Sequence, residues 1–301
     1  VPSRGTHLLF ERERLPLRIG MTLRVPGRVL FVIPFPGAWL VGTTDEAGEG
    51  APDRPVPTAE EVDHILENVN SVLDVDLRRD DAVGAFAGLR PLVGVPGSDT
   101  ARVSREHTIH REDSGLVRVS GGKYTTYRLM ARDAVDVALG DGDARPSKTH
   151  ELPILGAGGR DELSRLAADL AGPGGLGDAA AMSLVDRHGS QARDVGRLGQ
   201  DMGLLAPLVE GGPYLEAEVV WAVRHELALS LDDVLSRRMR LSMARRDRCS
   251  SIASRVAKLM GDELGWDAER QSAEVKTYLA SAHREYDVPG AGAADDVGDR
   301  A

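Results

Sequence analysis

The sequence predicts an α+β/α/β region followed by an all-α domain, and three observations predict it. Over residues 1–150, short β-branched and aromatic runs are broken by Gly and Pro. From Asp161 onward, apolar residues recur at helical spacing almost throughout. Between the two lies "GDGDARPSK" (Gly140–Lys148), a stretch of linker composition. The expected organisation is a sheet-containing region over 1–150, a helical domain over 151–287 and a tail over 288–301. That tail holds Gly, Ala and Asp but no large core residue, and is expected to be disordered.

Taken in order, "THLLF" (Thr6–Phe10), "RVLFVIPF" (Arg28–Phe35) and "AWLVGTT" (Ala38–Thr44) read as strands of one sheet, with a short hairpin-type connection at "GAW". "TAEEVDHILENVNSVL" (Thr58–Leu73) reads as a helix. Thr58 is its N-cap, Glu61 completes a capping box, and Val62, Ile65, Leu66, Val69 and Leu73 form its apolar face. "AVGAFAGLRPL" (Ala82–Leu92) is a further strand region. Val103–Glu112 and Gly115–Ser120 read as a hairpin around Asp113-Ser114-Gly115, followed by a helix over Tyr124–Leu139. In the second region, Asp161–Ala171, Ala179–Gly189, Tyr214–Ala228, Leu231–Met243 and Ser251–Gly265 are amphipathic helical segments, with C-cap endings at Gly189 and Gly265.

Composition narrows the function. The 301 residues carry a net charge of −10, which argues against a nucleic-acid-coating surface. A single cysteine, Cys249, excludes an internal disulfide framework and a cysteine zinc site, and suits a reducing cytoplasm. No run of about 18 apolar residues is present, so no membrane-spanning helix is expected. The first residue is Val1, and "VPSRGTHLLF" reads as mid-domain sequence, so a missing front part is expected.

"RVSGGKYTT" (Arg118–Thr126) sits between a strand and a helix, and Lys123 is one of only four lysines among 37 basic residues. It is not a Walker A loop, because Val117 and Tyr124 occupy positions that motif reserves for Gly and Ser or Thr. Nor does the chain contain a complete Gly-x-Gly-x-x-Gly dinucleotide fingerprint. On its own the stretch is either a plain turn with a solvated lysine, or an anion or cofactor site at a helix start. Glycines there allow close backbone approach, and the unpaired amides favour negative charge such as that of a reduced flavin's ring edge.

"VGTTDE" (Val41–Glu46), "GLRPL" (Gly88–Leu92), "VSREHTI" (Val103–Ile109) and "SGGKYTTYRLMA" (Ser120–Ala131), with "RGTHLLF" before them and "HELALSLDDVLSRRMRLSM" (His225–Met243) after, occur in one order. The set resembles the back part of the FAD-dependent, quinone-linked glycerol-3-phosphate dehydrogenases, over roughly residues 1–280. "GTTD" favours the single-chain aerobic form. The resemblance implies a D-amino-acid-oxidase-like FAD oxidoreductase fold, here without its front Rossmann unit, and a helical C-terminal domain. It implies oxidation of sn-glycerol 3-phosphate to dihydroxyacetone phosphate with FAD as cofactor and a quinone as acceptor. It also implies peripheral contact with the cytoplasmic membrane and, as a further partner, a separately encoded FAD-binding half.

Residue by residue, the resemblance makes His7 the histidine near the substrate and Arg90 the arginine over the flavin face. Arg105 becomes a second, phosphate-binding arginine. Gly122, Lys123, Tyr124 and Thr125 would hold the pyrimidine end of the flavin, and Thr43 and Thr44 would line the site, with Asp45 read as a turn residue. His107 is read as a hydrogen-bonded strand histidine. "RRMRLSMARRDR" (Arg237–Arg248) is read as a solvated or partner-facing segment, with contact to anionic lipid as the other reading. Three rivals stand beside this function: a glycerophosphate oxidase passing electrons to oxygen, another oxidase of the D-amino-acid oxidase type, against which the ordered motifs and long helical C-terminus argue, and a non-catalytic assembly subunit.

Overall fold

The computed structural model describes residues 2–25, 28–47, 53–93, 106–140, 145–172 and 175–292. The chain divides into two compact units, Val1–Leu152 with Glu285–Ala301, and Pro153–Arg284.

In the first unit, β1 (Pro2–Glu11), β2 (Met21–Val25), β3 (Arg28–Phe35), β4 (Ala38–Gly42), β5 (Glu46–Ala47) and β6 (Ala82–Pro91) form one antiparallel sheet. Strand β1 is central. β6 pairs along almost all of one edge, while the other edge pairs with β4 at His7–Glu11 and with β5 at Ser3–Arg4. Because side chains alternate across a strand, one sheet face collects Leu8, Phe10, Leu23, Leu30, Val32, Trp39, Val41 and Ala85. That face packs on helix α1 (Ala59–Leu73) through Val62, Ile65, Leu66 and Val69. Ile65 is fully buried, and its truncation to Ala would cost about 2–5 kcal/mol. The α1 boundary and its Thr58/Glu61 capping box match the sequence reading. The opposite face carries Ser3, Gly5, His7, Gly42, Phe86, Gly88 and Arg90, with Phe31 and Ile33 exposed farther along the sheet.

A separate hairpin, β7 (His107–Arg111) and β8 (Val117–Gly121), leads through a short 3-10 turn at Tyr124–Thr126 into α2 (Tyr127–Leu139). No α2 side chain is buried among the described residues, although its apolar residues include Tyr127, Leu129, Val135 and Leu139.

The second unit is helical: α3 (Arg160–Ala171), α4 (Asp178–His188), α5 (Ala192–Met202), α6 (Glu216–His225), α7 (Ser250–Leu264) and α8 (Ala268–Tyr286), whose last two residues belong to the first unit. Its interior includes a buried ionic cluster. Arg187 makes two 2.7 Å bonds to Glu218, and His188 lies 3.1 Å from the same carboxylate. Burial opposes ionisation of Glu218, but the bonds from His188 and Arg187 prevail and hold its pKa below the usual carboxylate value.

Several features depart from the sequence reading, among them β2, α5 and α8, which it did not assign. Leu231–Met243 is not one amphipathic helix. It contains a π-type turn over Asp233–Arg238, closed by Met239 N–H donating to Val234 O (2.9 Å), and it breaks where Arg240 adopts a left-handed φ of 59°. Helix α5 carries Gly196 and Gly199, which lower its intrinsic helicity. A Cβ at Gly199 would lie 3.0 Å from that of Ala217, so the glycine permits close approach to α6. Finally, the start of the expected disordered tail has defined contacts. Val288 packs against the sheet core, and Gly292 N–H donates to Asp80 Oδ1 (2.8 Å), whereas residues 293–301 lie outside the described residues.

Among the described residues, no helix is long and apolar enough to cross a membrane, and no cluster of His, Cys, Asp or Glu could hold a metal ion.

Candidate active site on the open sheet face

The interruption between β4 and β5 builds the site. Thr43, Thr44 and Asp45 leave the ladder there, and Thr6 N–H donates instead to Thr44 Oγ1 (2.9 Å). On the open face, Arg90 extends from the end of β6 across this loop. Its Nη2 donates to Thr43 Oγ1 (3.0 Å) and to Thr44 O (3.1 Å), and its Nη1 donates to Ser3 Oγ (3.1 Å) and faces Asp45 Oδ1 (3.5 Å). Ser3 Oγ also donates to Asp45. Asp45 is therefore an ion-pair partner of Arg90 as well as part of the loop, a role the turn reading missed.

Gly5 is the reason Arg90 can lie flat. A Cβ there would stand 2.5 Å from Arg90 Nη2 and 2.7 Å from Thr43 Oγ1. Its cross-strand partner Gly88 has open space where a side chain would be. The next pair along β1 and β6 is His7 with Phe86, whose rings stack at 5.1 Å between centroids. The imidazole also covers Gly42, where a Cβ would lie 2.6 Å from His7 Cδ2. His7 Nδ1 is buried with no hydrogen-bond partner. Burial, reinforced by the positive charge of Arg90, lowers the His7 pKa to about 4, so the imidazole is neutral at pH 7. The face thus presents an oriented guanidinium, a glycine floor and a neutral proton acceptor.

The sheet therefore brings together His7, Arg90, Thr43 and Thr44. The side chain of Thr44 points to the core side, where Oγ1 donates to Glu61 Oε1 (2.9 Å), and only its carbonyl meets Arg90. Arg105 lies outside the described residues. Gly122, Lys123, Tyr124 and Thr125 lie at the start of the 3-10 turn, next to the β6 end: a Cβ on neighbouring Gly121 would meet Val93 Cγ2 at 2.8 Å. Both glycines have positive φ, and it is the φ of 84° that favours glycine at Gly122, since the Met130 Sδ that a Cβ there would meet at 2.5 Å ends a flexible side chain. The Tyr124 and Thr125 amides have no backbone partner among the described residues, and Lys123 is exposed. Two unpaired amides and a cation at a helix start suit the electron-rich edge of a flavin ring, so these residues fit an FAD site. His107 bonds Asp133 of α2 (2.9 Å), joining hairpin to helix. The signal that could have found Ser3 and Gly5 is the period-2 alternation through His7. No local pattern points to Asp45.

Two family models match the chain: "FAD dependent oxidoreductase" over residues 1–136, and "C-terminal domain of alpha-glycerophosphate oxidase" over residues 147–271. Glycerol-3-phosphate dehydrogenase 2 of Mycobacterium bovis is 39% identical over 286 residues, covering 94% of this chain and 49% of that protein. A mitochondrial glycerol-3-phosphate dehydrogenase of Arabidopsis thaliana is 36% identical, covering 91% of this chain and 46% of that protein. The crystal structure of the Bacillus halodurans glycerol-3-phosphate dehydrogenase complexed with FAD superposes with a TM-score of 0.76 at 26% identity, over 94% of this chain and 57% of that one. The chain spans about half the length of the curated relatives it matches.

Proposed function

We propose that this chain, whose residues 1–136 match the "FAD dependent oxidoreductase" family model, supplies the substrate side of a glycerol-3-phosphate dehydrogenase. The reaction is oxidation of sn-glycerol 3-phosphate to dihydroxyacetone phosphate with FAD as cofactor and a quinone as final acceptor. The observation that carries this reading is the pairing of an oxygen-held Arg90 with a neutral, largely buried His7 across a glycine floor.

Arg90 binds a substrate oxyanion by charge-assisted hydrogen bonds, and Arg105 is its phosphate-binding companion. His7 accepts the C2 hydroxyl proton. A phosphate bound beside Arg90 offsets the charge that depresses His7, so substrate raises the proton affinity of its own base. Thr43 and the Thr44 carbonyl line the site by orienting the guanidinium. Gly122, Lys123, Tyr124 and Thr125 hold the pyrimidine end of the flavin. When bound, FAD supplies the acceptor for the hydride that leaves C2.

The exposed apolar residues of α2 support an FAD-binding half as the partner of this unit. Quinone reduction places the assembly at the surface of the cytoplasmic membrane, in peripheral contact. The test is the visible flavin absorbance of the purified chain, alone and with the front half of a relative supplied in trans. Flavin retained by the combination and bleached by glycerol 3-phosphate is expected. Absence of flavin and of bleaching in the combination would sink the reading, and peroxide formation without quinone reduction would make the protein an oxidase.

A further inference from the structure

We infer that Glu61, on the opposite side of the sheet from His7, is a positioning residue for Arg90. The inference rests on the reading above that Arg90 holds the substrate oxyanion. Glu61 is only 4% exposed, although it belongs to the first turn of a helix whose neighbouring Glu60 is exposed. Its carboxylate serves three chain segments. Oε2 accepts Thr58 N–H (3.0 Å), completing the capping box, and also pairs with Arg4 Nε of β1 (3.1 Å). Oε1 accepts the Thr44 hydroxyl (2.9 Å).

A capping box alone requires only an acceptor, and Gln would serve. A buried charge is costly unless it is paired and fully hydrogen-bonded. Here the pairing ties α1 and β1 to the loop that grips Arg90. Thr44 is the link. Its hydroxyl donates to Glu61 and accepts from Thr6 N–H (2.9 Å), so the side chain is pinned on the core side. On the site side, its carbonyl accepts both Arg90 Nη2 and Thr43 Oγ1 at 3.1 Å, and Thr43 Oγ1 in turn accepts Nη2 (3.0 Å). One residue therefore separates a buried carboxylate from the guanidinium, and releasing the Thr44 hydroxyl frees the carbonyl that aims Arg90. Glu61 touches neither substrate nor cofactor in this arrangement and acts through Thr44.

The experiment compares Glu61→Gln, Thr44→Val and Thr44→Ser in the full 301-residue chain. Melting temperature is read together with the arginine side-chain NMR signals, that of Arg90 being assigned by its loss in Arg90→Lys. Glycerol 3-phosphate is titrated against the same signals. Glu61→Gln and Thr44→Val are expected to broaden or shift the Arg90 signal and to weaken glycerol 3-phosphate binding about tenfold. Thr44→Ser, which keeps the hydroxyl, is expected to match the parent chain, and Glu61→Gln with Thr44→Val to be no worse than Thr44→Val alone. If Glu61→Gln does not fold, the Thr44→Val and Thr44→Ser pair decides by the same signals. An unchanged Arg90 signal in Glu61→Gln and Thr44→Val, with only the melting temperature lowered, overturns the inference and leaves Glu61 as a helix cap. If the parent chain shows an ordered Arg90 that ignores glycerol 3-phosphate, the substrate reading fails while the ordering of Arg90 still decides the role of Glu61.

Discussion

At His7 two physical effects act in the same direction. Burial removes the imidazolium from water, and Arg90 opposes a second positive charge, so the pKa falls from 6.5 to about 4. Between those values the unfolded chain holds a proton that the folded chain does not. Stability therefore rises with pH across the window: the contribution is complete above pH 6.5 and lost as pH falls toward 4, amounting to about 3 kcal/mol. Urea unfolding from pH 4 to 7 is expected to give a steeper rise for the parent chain than for His7→Asn. Parallel slopes would mean that His7 titrates normally in the fold. The imidazole and Arg90 could be named from sequence because each sits in a short motif that resembles the family's. Thr43 and Thr44 were named with them, but that their oxygens and those of Ser3 and Asp45 grip Arg90 was not legible, because these residues lie 45–47 and 87 positions away along the chain.

At the scale of elements, strand β1 is shaped by what its glycine neighbours leave out. Gly5 and Gly42 are both crowded but by different atoms, and their alanine variants separate accordingly. A Cβ at Gly5 meets mainly the far end of the Arg90 side chain, which can move. Gly5→Ala is expected to change stability little and to weaken glycerol 3-phosphate binding about tenfold or more, because the guanidinium is pushed off its oxygens. A Cβ at Gly42 meets Thr6 O at 2.8 Å as well as the His7 ring, and a backbone carbonyl yields less readily. Gly42→Ala is expected to lose about 1–3 kcal/mol, read by urea unfolding. Equal effects of both variants on both readouts would show that the two glycines share one structural role. Helix α1 was legible to the residue because its cap and apolar stripe are local signals. The π-type turn at Asp233–Arg238 and helix α5 were not, since a left-handed Arg240 and glycines packed on a neighbouring helix answer to tertiary contacts.

Across the whole molecule, the order of the sequence and the composition of the units diverge at the far end. The first unit is built from residues 1–152 and then recovers the chain at Glu285, after the second unit is complete. Composition misreads this return, because Gly, Ala and Asp around two valines resemble a solvated tail. The first of them, Val288, nevertheless packs against the core of the sheet, as Leu73 and Val75 do, while Arg54 pairs with Glu285 (3.0 Å) and Asp80 accepts Gly292 N–H. The exposed ion pair contributes little, so the apolar contact carries most of the effect. Ending the chain after Arg284, or substituting Val288→Asp, is therefore expected to destabilise the first unit by about 1–2 kcal/mol. Trp39 is the reporter for that unit: it is 1% exposed, and the Arg12 guanidinium lies 4.7 Å from its ring. With Trp221 and Trp266 replaced by Phe, fluorescence during urea unfolding follows Trp39 alone. An earlier Trp39 transition in the shortened chain would establish that the last residues complete a core laid down at the beginning of the sequence. An unchanged transition would return those residues to the role their composition first assigned.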